Sequence, residues 1–329
     1  MKRLITQRRW KDHLNRRQIS ELRARARVKP IYRAPKNKRL FKGLRVPSDF
    51  SIIHNAEEMN EFLQTLRTYA RTSHISLDLM EVTRITPEAI AALTATISVH
   101  SMPNTTVRGN LPSDPAAKRV LLESGFFDHV RSTTQLPKGQ LGKITSRESK
   151  RVEATIAWEL IECGTSQAFG AKGNSDSTRA AYATLIELMG NTHNHAAKGR
   201  EGAVTWWATA YGDSTRKRVC YSFVDTGVGI FKSLNIDWIR RAFRRLRQGD
   251  NSKLLLAILE GRVESSTGLP YRGKGLPTIY KKSQAGNIQD LFIIANDVYA
   301  GVSDGDYRKL EVPFPGTLLY WECEEEDGD

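Results

Sequence analysis

The chain has 329 residues and a mass of 37.1 kDa, enough for two domains that each bury a core. Hydrophobic residues make up 40% and charged residues 26%, values ordinary for a soluble globular protein, and no apolar run approaches the roughly 18 residues that cross a bilayer, which excludes a helical membrane protein. The net charge of +14 is unevenly placed: residues 1–45 hold 17 Lys and Arg against only Asp12 and Glu21, a net +15, so the remainder sums to −1.

Residues 1–47 read as a basic arm and linker. The stretch from Thr6 to about Val28 predicts a highly charged helix with a ragged apolar stripe of Trp10, Leu14, Ile19 and Leu22. Pro30, Pro35 and "KNKRLFK" then predict an extended linker ending near Pro47. The arm lacks the apolar core of a secretory signal, and its acidic residues and few serines argue against a transit peptide. Its charge, interspersed with Trp10, Tyr32 and Phe41, suits phosphates and bases, and suits an acidic protein equally well.

Residues 48–145 alternate strand-like and helical patterns. "DFSIIHN", "ISLDLM" and "TTVRGN" are expected strands; "AEEMNEFLQTLRTYAR", "TPEAIAALTATISV" and "SDPAAKRVLLESG" are expected helices. The alternation implies an α/β layer structure with a partly parallel sheet. Pro87 and Pro115 fit first helical turns, behind Thr86 and near Ser113 or Asp114 as caps. "ISLDLMEVTRITPEAIAAL" and "GNLPSDPAAKRVLLESGFFDHV" resemble the strand, loop, helix and closing helix of a STAS domain, as in anti-sigma-factor antagonists. Where phosphorylatable members of that family carry a serine at the helix start, this chain has Pro87 between Thr86 and Glu88, which implies a docking or scaffold role instead of a phospho-switch.

Residues 146–329 are read as the second domain. A helix is expected over "SRESKRVEATIAWELIECG" and a loop over 166–177, followed by a helix, strands "AVTWWATAY" and "RKRVCYSFVDTG", and a long helical insertion to about residue 265. Helix "LPTIYKKSQA", strand "LFIIAND", terminal strand "GTLLYWEC" and a frayed acidic tail complete it. Hairpin-forming strands with helices between them predict an α+β sandwich with helices on one sheet face. Cys163, Cys220 and Cys323 form no CxxC pair and are odd in number, so reduced thiols and a cytoplasmic setting are expected.

Four segments of this domain carry chemistry. In "ELMGNTHNHA", Glu187, Asn191 and His195 follow one another at intervals of four and share one helix stripe, with Leu188 and Met189 on another face. His193 points away from His195, so the two imidazoles do not chelate one metal from this helix. "YSFVDTGVGI" ends an apolar strand on Asp225 before Gly227 and Gly229. "YRGKGLPTIYK" sets Gly273 and Gly275 ahead of a helix whose first amides are free for an anion, flanked by Arg272 and Lys274. "FPGTLLYWEC" places Gly316 and Thr317 at the entrance of the last strand.

The order E-x-x-x-N-x-x-x-H-A, D-x-G-x-G, a long insertion, G-x-G-L and G-T resembles the GHKL ATPase superfamily, which has the Bergerat nucleotide fold and includes gyrase, chaperone ATPases, histidine kinases, anti-sigma-factor kinases and mismatch-repair ATPases. The resemblance implies ATP and Mg²⁺ as ligands. By position, Asn191 would hold Mg²⁺ through its side-chain oxygen. Asp225 would accept the adenine amine, with Gly227 and Gly229 allowing close approach and Thr317 supporting the base. Amides around Gly273, Gly275 and Leu276 would wrap the phosphates, with Arg272 or Lys274 adding charge. Glu187 would orient or deprotonate the attacking water or hydroxyl. The insertion between Ile230 and Arg272 would be a lid, and its "NIDWIRRAFRRLRQG" is an amphipathic helix with a basic face.

A histidine kinase is disfavoured, because the helix preceding the ATP domain has no acceptor histidine. The leading expectation is a regulatory protein that binds and hydrolyses Mg-ATP, its lid controlling a protein or nucleic-acid partner. An anti-sigma-type serine/threonine kinase is the second reading and a non-hydrolysing ATP-dependent interaction module the third. No membrane partner is expected, and a homodimer is compatible with the sequence.

Overall fold

The computed structural model describes residues 41–100, 105–124, 126–129, 144–170, 175–195, 204–233, 250–262 and 275–324. The arm helix, Arg272, Gly273, Lys274, the basic helix of the insertion and residues 325–329 of the acidic tail lie outside these residues, whereas residues 322–324, expected in the frayed tail, end the last strand. All the described residues belong to one unit, Leu40–Asp329. The fold is mixed α/β, and none of its described helices is long and apolar enough to cross a membrane.

The N-terminal part is built on a small parallel sheet. β1 (Phe41–Arg45), β3 (His74–Asp78) and β5 (Val107–Gly109) lie in the order β1-β3-β5, with β2 (Asp49–Phe50) paired to β4 (Arg84–Ile85) alongside. Two helices connect these strands, α1 (Ala56–Ala70) and α2 (Pro87–His100); α3 (Pro115–Glu123) and α4 (Phe126–His129) follow. At α3 the expected cap is Asp114, whose carboxylate accepts from the Ala117 amide at 2.8 Å, with Pro115 in the first turn. The strand pattern departs from expectation: of "DFSIIHN" only Asp49–Phe50 is a strand and residues 52–54 turn, and Arg84–Ile85 form an unexpected partner for it. "FKGLR", read as linker, is β1, because a basic strand at a sheet edge leaves its charged side chains in water and shows no apolar alternation.

The second part is a five-stranded, fully antiparallel sheet in the order β6-β7-β8-β10-β9. Its strands are β6 (Ile144–Ser149), β7 (Trp206–Asp213), β8 (Arg218–Asp225), β9 (Gln289–Gly301) and β10 (Asp306–Glu324). Residues "SRES", expected as helix, belong to β6, and α5 (Ala154–Phe169) starts only afterwards. Its C-terminus enters the stretch expected as loop and stops at Gly170, which takes the left-handed conformation (φ 73°) that ends a helix. α6 (Asp176–His195), α7 (Ile230–Ser233), α8 (Asn251–Leu259) and α9 (Gly275–Gln284) complete the described elements.

Both faces of the large sheet are covered, whereas helices on one face alone were expected. On one face Trp206, Ala208, Tyr221, Phe223, Leu319 and Trp321 pack against α5, α6, α8 and α9. On the other, Trp207, Val224, Ile294 and Leu318 share a core with α1 and α2 of the N-terminal part. The cause is visible in β8, "RVCYSFVD", where residues 221–225 are buried at consecutive positions instead of alternate ones, as in a strand covered on both sides. Polar contacts fix the two parts together. The Tyr299 hydroxyl donates to the Ile53 carbonyl (3.1 Å), Asn60 Nδ2 donates to the Val312 carbonyl (3.2 Å), and the Glu311 amide donates to the Glu57 carboxylate (3.3 Å).

Beside Pro87, the first turn of α2 buries a carboxylate. Glu88 is 1% exposed and accepts from the hydroxyls of Thr86 and Ser51, the latter at 3.3 Å. Burial raises its carboxyl above the ordinary value, and these hydrogen bonds only partly oppose the rise. A folded-state value above the unfolded one means that folding is unpenalised in acid and loses stability as pH rises through the folded value. Glu88→Gln keeps the acceptor and removes the charge. It is therefore expected to raise the denaturation midpoint at about pH 8 and to leave it unchanged below about pH 4, where both states are protonated. Equal midpoints for the two proteins at the higher pH would show that the burial has no such cost.

Candidate functional site

The site is organised by one transverse row of the large sheet. Register places Trp206, Asp225, Thr317 and Ala295 directly opposite one another across β7, β8, β10 and β9. Directly opposed side chains project from the same face. Phe223 and Leu319, two residues from Asp225 and Thr317, belong to the core beneath α5 and α6, so the Asp225 and Thr317 side chains point to that helical face. Both are largely buried, at 8% and 7% exposure.

β8 ends at Asp225 and the chain turns sharply. The Asp225 carboxylate accepts the Gly227 amide at 2.7 Å, so one oxygen closes the turn. Thr226 is held by its amide (3.2 Å) and hydroxyl (3.0 Å), both donating to the Thr205 carbonyl. Gly229 has φ +81°, a conformation that favours glycine, and a Cβ there would meet the Asn296 side chain at 2.5 Å. Asn296 is a residue the sequence reading missed. It accepts from the Phe231 amide (3.1 Å) and donates to the Val228 carbonyl (2.8 Å), clamping the turn from β9. Its own φ is +52°, which asparagine tolerates better than most residues, and "AND" within an apolar strand was the available signal.

Gly316 was expected at the entrance of the last strand. Instead β10 begins at Asp306 and Gly316 lies within it, at a register irregularity between Phe314 and Thr317. The residues between "LFIIAND" and "GTLLYWEC" extend β9 and β10 into a long hairpin, and the polar, irregular sequence of the β10 arm hides its strand character. At the irregularity the Gly316 backbone passes so near β8 that a Cβ would lie 2.1 Å from the Asp225 carbonyl oxygen.

The helical side of the site comes from α6 and α9. Leu185, Leu188, Met189 and Thr192 of α6 are buried, whereas Glu187 and Asn191 are half-buried on an adjoining stripe one turn apart. α6 packs on β8 and β10, above the face that carries Asp225 and Thr317. α9 runs antiparallel along α6: its first residue, Gly275, sits against Glu187, and near its end Lys282 donates to the Ala180 carbonyl at 3.3 Å. A Cβ on Gly275 would lie 2.1 Å from Glu187 Oε1, so any larger residue there would have to move the Glu187 side chain. A carboxylate facing a helix N-terminus is electrostatically favourable. Burial lowers the Lys282 ammonium from its ordinary value, and the Glu187 charge acts in the opposite direction. Leu276 packs partly buried against the same core.

The end of the insertion is a packed element. In α8, Leu254, Leu255 and Leu259 are buried beneath the helical layer, and the helix is capped by Asp250, which accepts from the Ser252 and Lys253 amides at 3.0 and 3.2 Å. Residues 251–259 of the expected lid are thus part of the core. Burial pushes the Cys220 thiol up to about 12 and Cys323 further still, so neither is an activated nucleophile. Comparison with models of known families and with curated proteins finds no match to this chain.

Proposed function

We propose that this site binds Mg-ATP in the manner of a GHKL ATPase, and that the residues 146–329 are a Bergerat-type nucleotide domain joined to a STAS-like module. The observation that supports this reading most is the shared row of Asp225 and Thr317 at the end of β8, on the face over which α6 carries Glu187 and Asn191. A carboxylate, which also accepts the Gly227 amide here, is an acceptor of the kind that suits a donor such as the adenine 6-amino group. Thr317 beside it supplies a hydroxyl for the ring edge or a bridging water.

In this proposal Asn191 gives Mg²⁺ one neutral oxygen, and phosphate and water complete a shell that normally has few protein ligands. The amides opening α9 at Gly275 and Leu276 bind phosphate, as helix N-termini do, with Arg272, Gly273 and Lys274 preceding them in sequence. Glu187 stands next to those amides and serves as the group that orients or deprotonates water. A phosphate held by those amides would meet the Glu187 charge, which would couple nucleotide binding to the contact between α6 and α9. The N-terminal module rests on the back of the same sheet through α1 and α2, which makes it the natural recipient of that coupling.

Incubation with γ-labelled ATP and Mg²⁺ tests the reading. Free phosphate from the wild type and at least a roughly hundredfold slower release from Asn191→Ala are expected, the loss of a ligand to a catalytic metal costing about 3 kcal/mol or more. Label retained on protein would replace hydrolysis with the kinase reading. Absence of both ATP binding and turnover would sink the proposal.

A further inference from the structure

The face of the β1-β3-β5 sheet opposite its core carries a feature that nucleotide binding does not use. Leu44, Ile75, Leu77 and Val107 point to the core, so the alternate residues Phe41, Gly43 and Arg45 of β1, His74, Ser76 and Asp78 of β3, and Arg108 of β5 share the other face. There the Arg108 guanidinium lies over the Phe41 ring, 3.8 Å from its centroid, although β3 separates their strands. Phe41 also meets the His74 ring at 5.1 Å and remains 41% exposed. Next along β1, a Cβ on Gly43 would meet nothing within 4 Å, so the surface beside the stacked pair is open. At the strand's edge Lys42 sits 4.4 Å over Tyr69.

We propose that this face binds single-stranded nucleic acid, with Phe41 and Arg108 as a stacking platform for a base and Arg45 as a partner of the backbone. An exposed aromatic ring beside a guanidinium plane is the chemistry that recognises an unpaired base, whose flat face is inaccessible in a duplex. Charge favours a polyanion. Arg45 and Arg108 attract a nucleic-acid strand, and the 15 Lys and Arg among residues 1–40 of the sequence add to the positive charge of the chain. Two carboxylates border the face: Asp78 accepts from Asn110 (2.7 Å) and stays ionised, and Glu81 pairs with Arg45 at 3.4 Å in an exposed, weak bridge that a phosphate can replace. The aromatic platform sets a base-bearing polymer apart from an acidic protein. This inference is independent of the nucleotide site.

The test is fluorescence anisotropy of the full chain, without ATP, against labelled deoxythymidine and uridine strands of about 20 nucleotides and a duplex of equal length. Phe41→Ala is expected to weaken single-strand binding about tenfold at fixed salt while leaving the salt dependence unchanged, and Phe41→Trp to restore it. Arg108→Ala is expected to weaken it and to lower the salt slope by about one. Circular dichroism and melting of the variants separate binding from folding, since both side chains are exposed. The proposal is overturned if wild type does not bind either strand, if Phe41→Ala binds as wild type or weakens duplex binding equally, or if polyglutamate competes as well as the oligonucleotide.

Discussion

Asp225→Asn is expected to lower Mg-ATP affinity about a hundredfold, or about 2.7 kcal/mol, the scale of a charge-assisted hydrogen bond replaced by a donor facing a donor. On the proposed reading the substitution alters base recognition while keeping an acceptor for the turn. The amide oxygen of asparagine still accepts the Gly227 N–H that now bonds the carboxylate at 2.7 Å, so the turn survives. Its NH₂ group then meets the adenine amine, while the 6-oxo group of inosine or guanine would accept from it. Titration with ATP and ITP should therefore show a reversed preference, with ITP bound more tightly than ATP by the variant. A variant that binds ATP within about threefold of wild type would remove Asp225 from the base pocket and the adenine reading with it.

Gly316→Ala is expected to destabilise the protein by about 3–5 kcal/mol, among the largest effects of a single methyl group. Two causes add. Gly316 has φ +117°, a conformation that L side chains rarely adopt, and its Cβ would overlap a backbone carbonyl, that of Asp225, at 2.1 Å. A flexible side chain could swing away, but this carbonyl belongs to the buried strand β8, and its displacement would carry the Asp225 carboxylate with it. Denaturant midpoints measure the loss. Gly43→Ala is the matching control, because its Cβ meets nothing within 4 Å and a strand position loses less chain entropy with alanine; its midpoint should stay level or rise by up to about 1 kcal/mol. If Gly316→Ala unfolds at the same midpoint as wild type, β10 does not approach β8 this closely.

These two positions differ in how far the sequence foretold them. The place of Asp225, at the end of an apolar strand and before a glycine turn, follows from local pattern, since strand hydrophobicity and glycine punctuation act over a few residues. Gly316 looks equally local but is not. Its constraint comes from the register of β10 against β8 and β9, which brings a backbone from far along the chain against it. Asn296 belongs to the same class: only the sheet order, with β10 inserted between β8 and β9, puts a β9 side chain within reach of the Gly229 turn. Gly275 and Glu187 likewise come together because α9 runs antiparallel to α6, a packing decision absent from either segment.

Taken alone, the sequence determined the helices α1, α2, α3 and α6 to within a few residues, because amphipathic spacing, prolines in first turns and caps are encoded locally. It determined also that Leu188 and Met189 turn inward while Glu187 and Asn191 stay on a polar stripe, a consequence of 3.6-residue periodicity. Tertiary structure decided the rest. Strands β1 and β6 are polar in sequence and become strands only by pairing with β3 and β7, whose backbone groups they satisfy. The N-terminal part closes over the back of the large sheet because Trp207, Val224, Ile294 and Leu318 leave an apolar face that must be removed from water, and α1 and α2 supply the apolar surface that covers it.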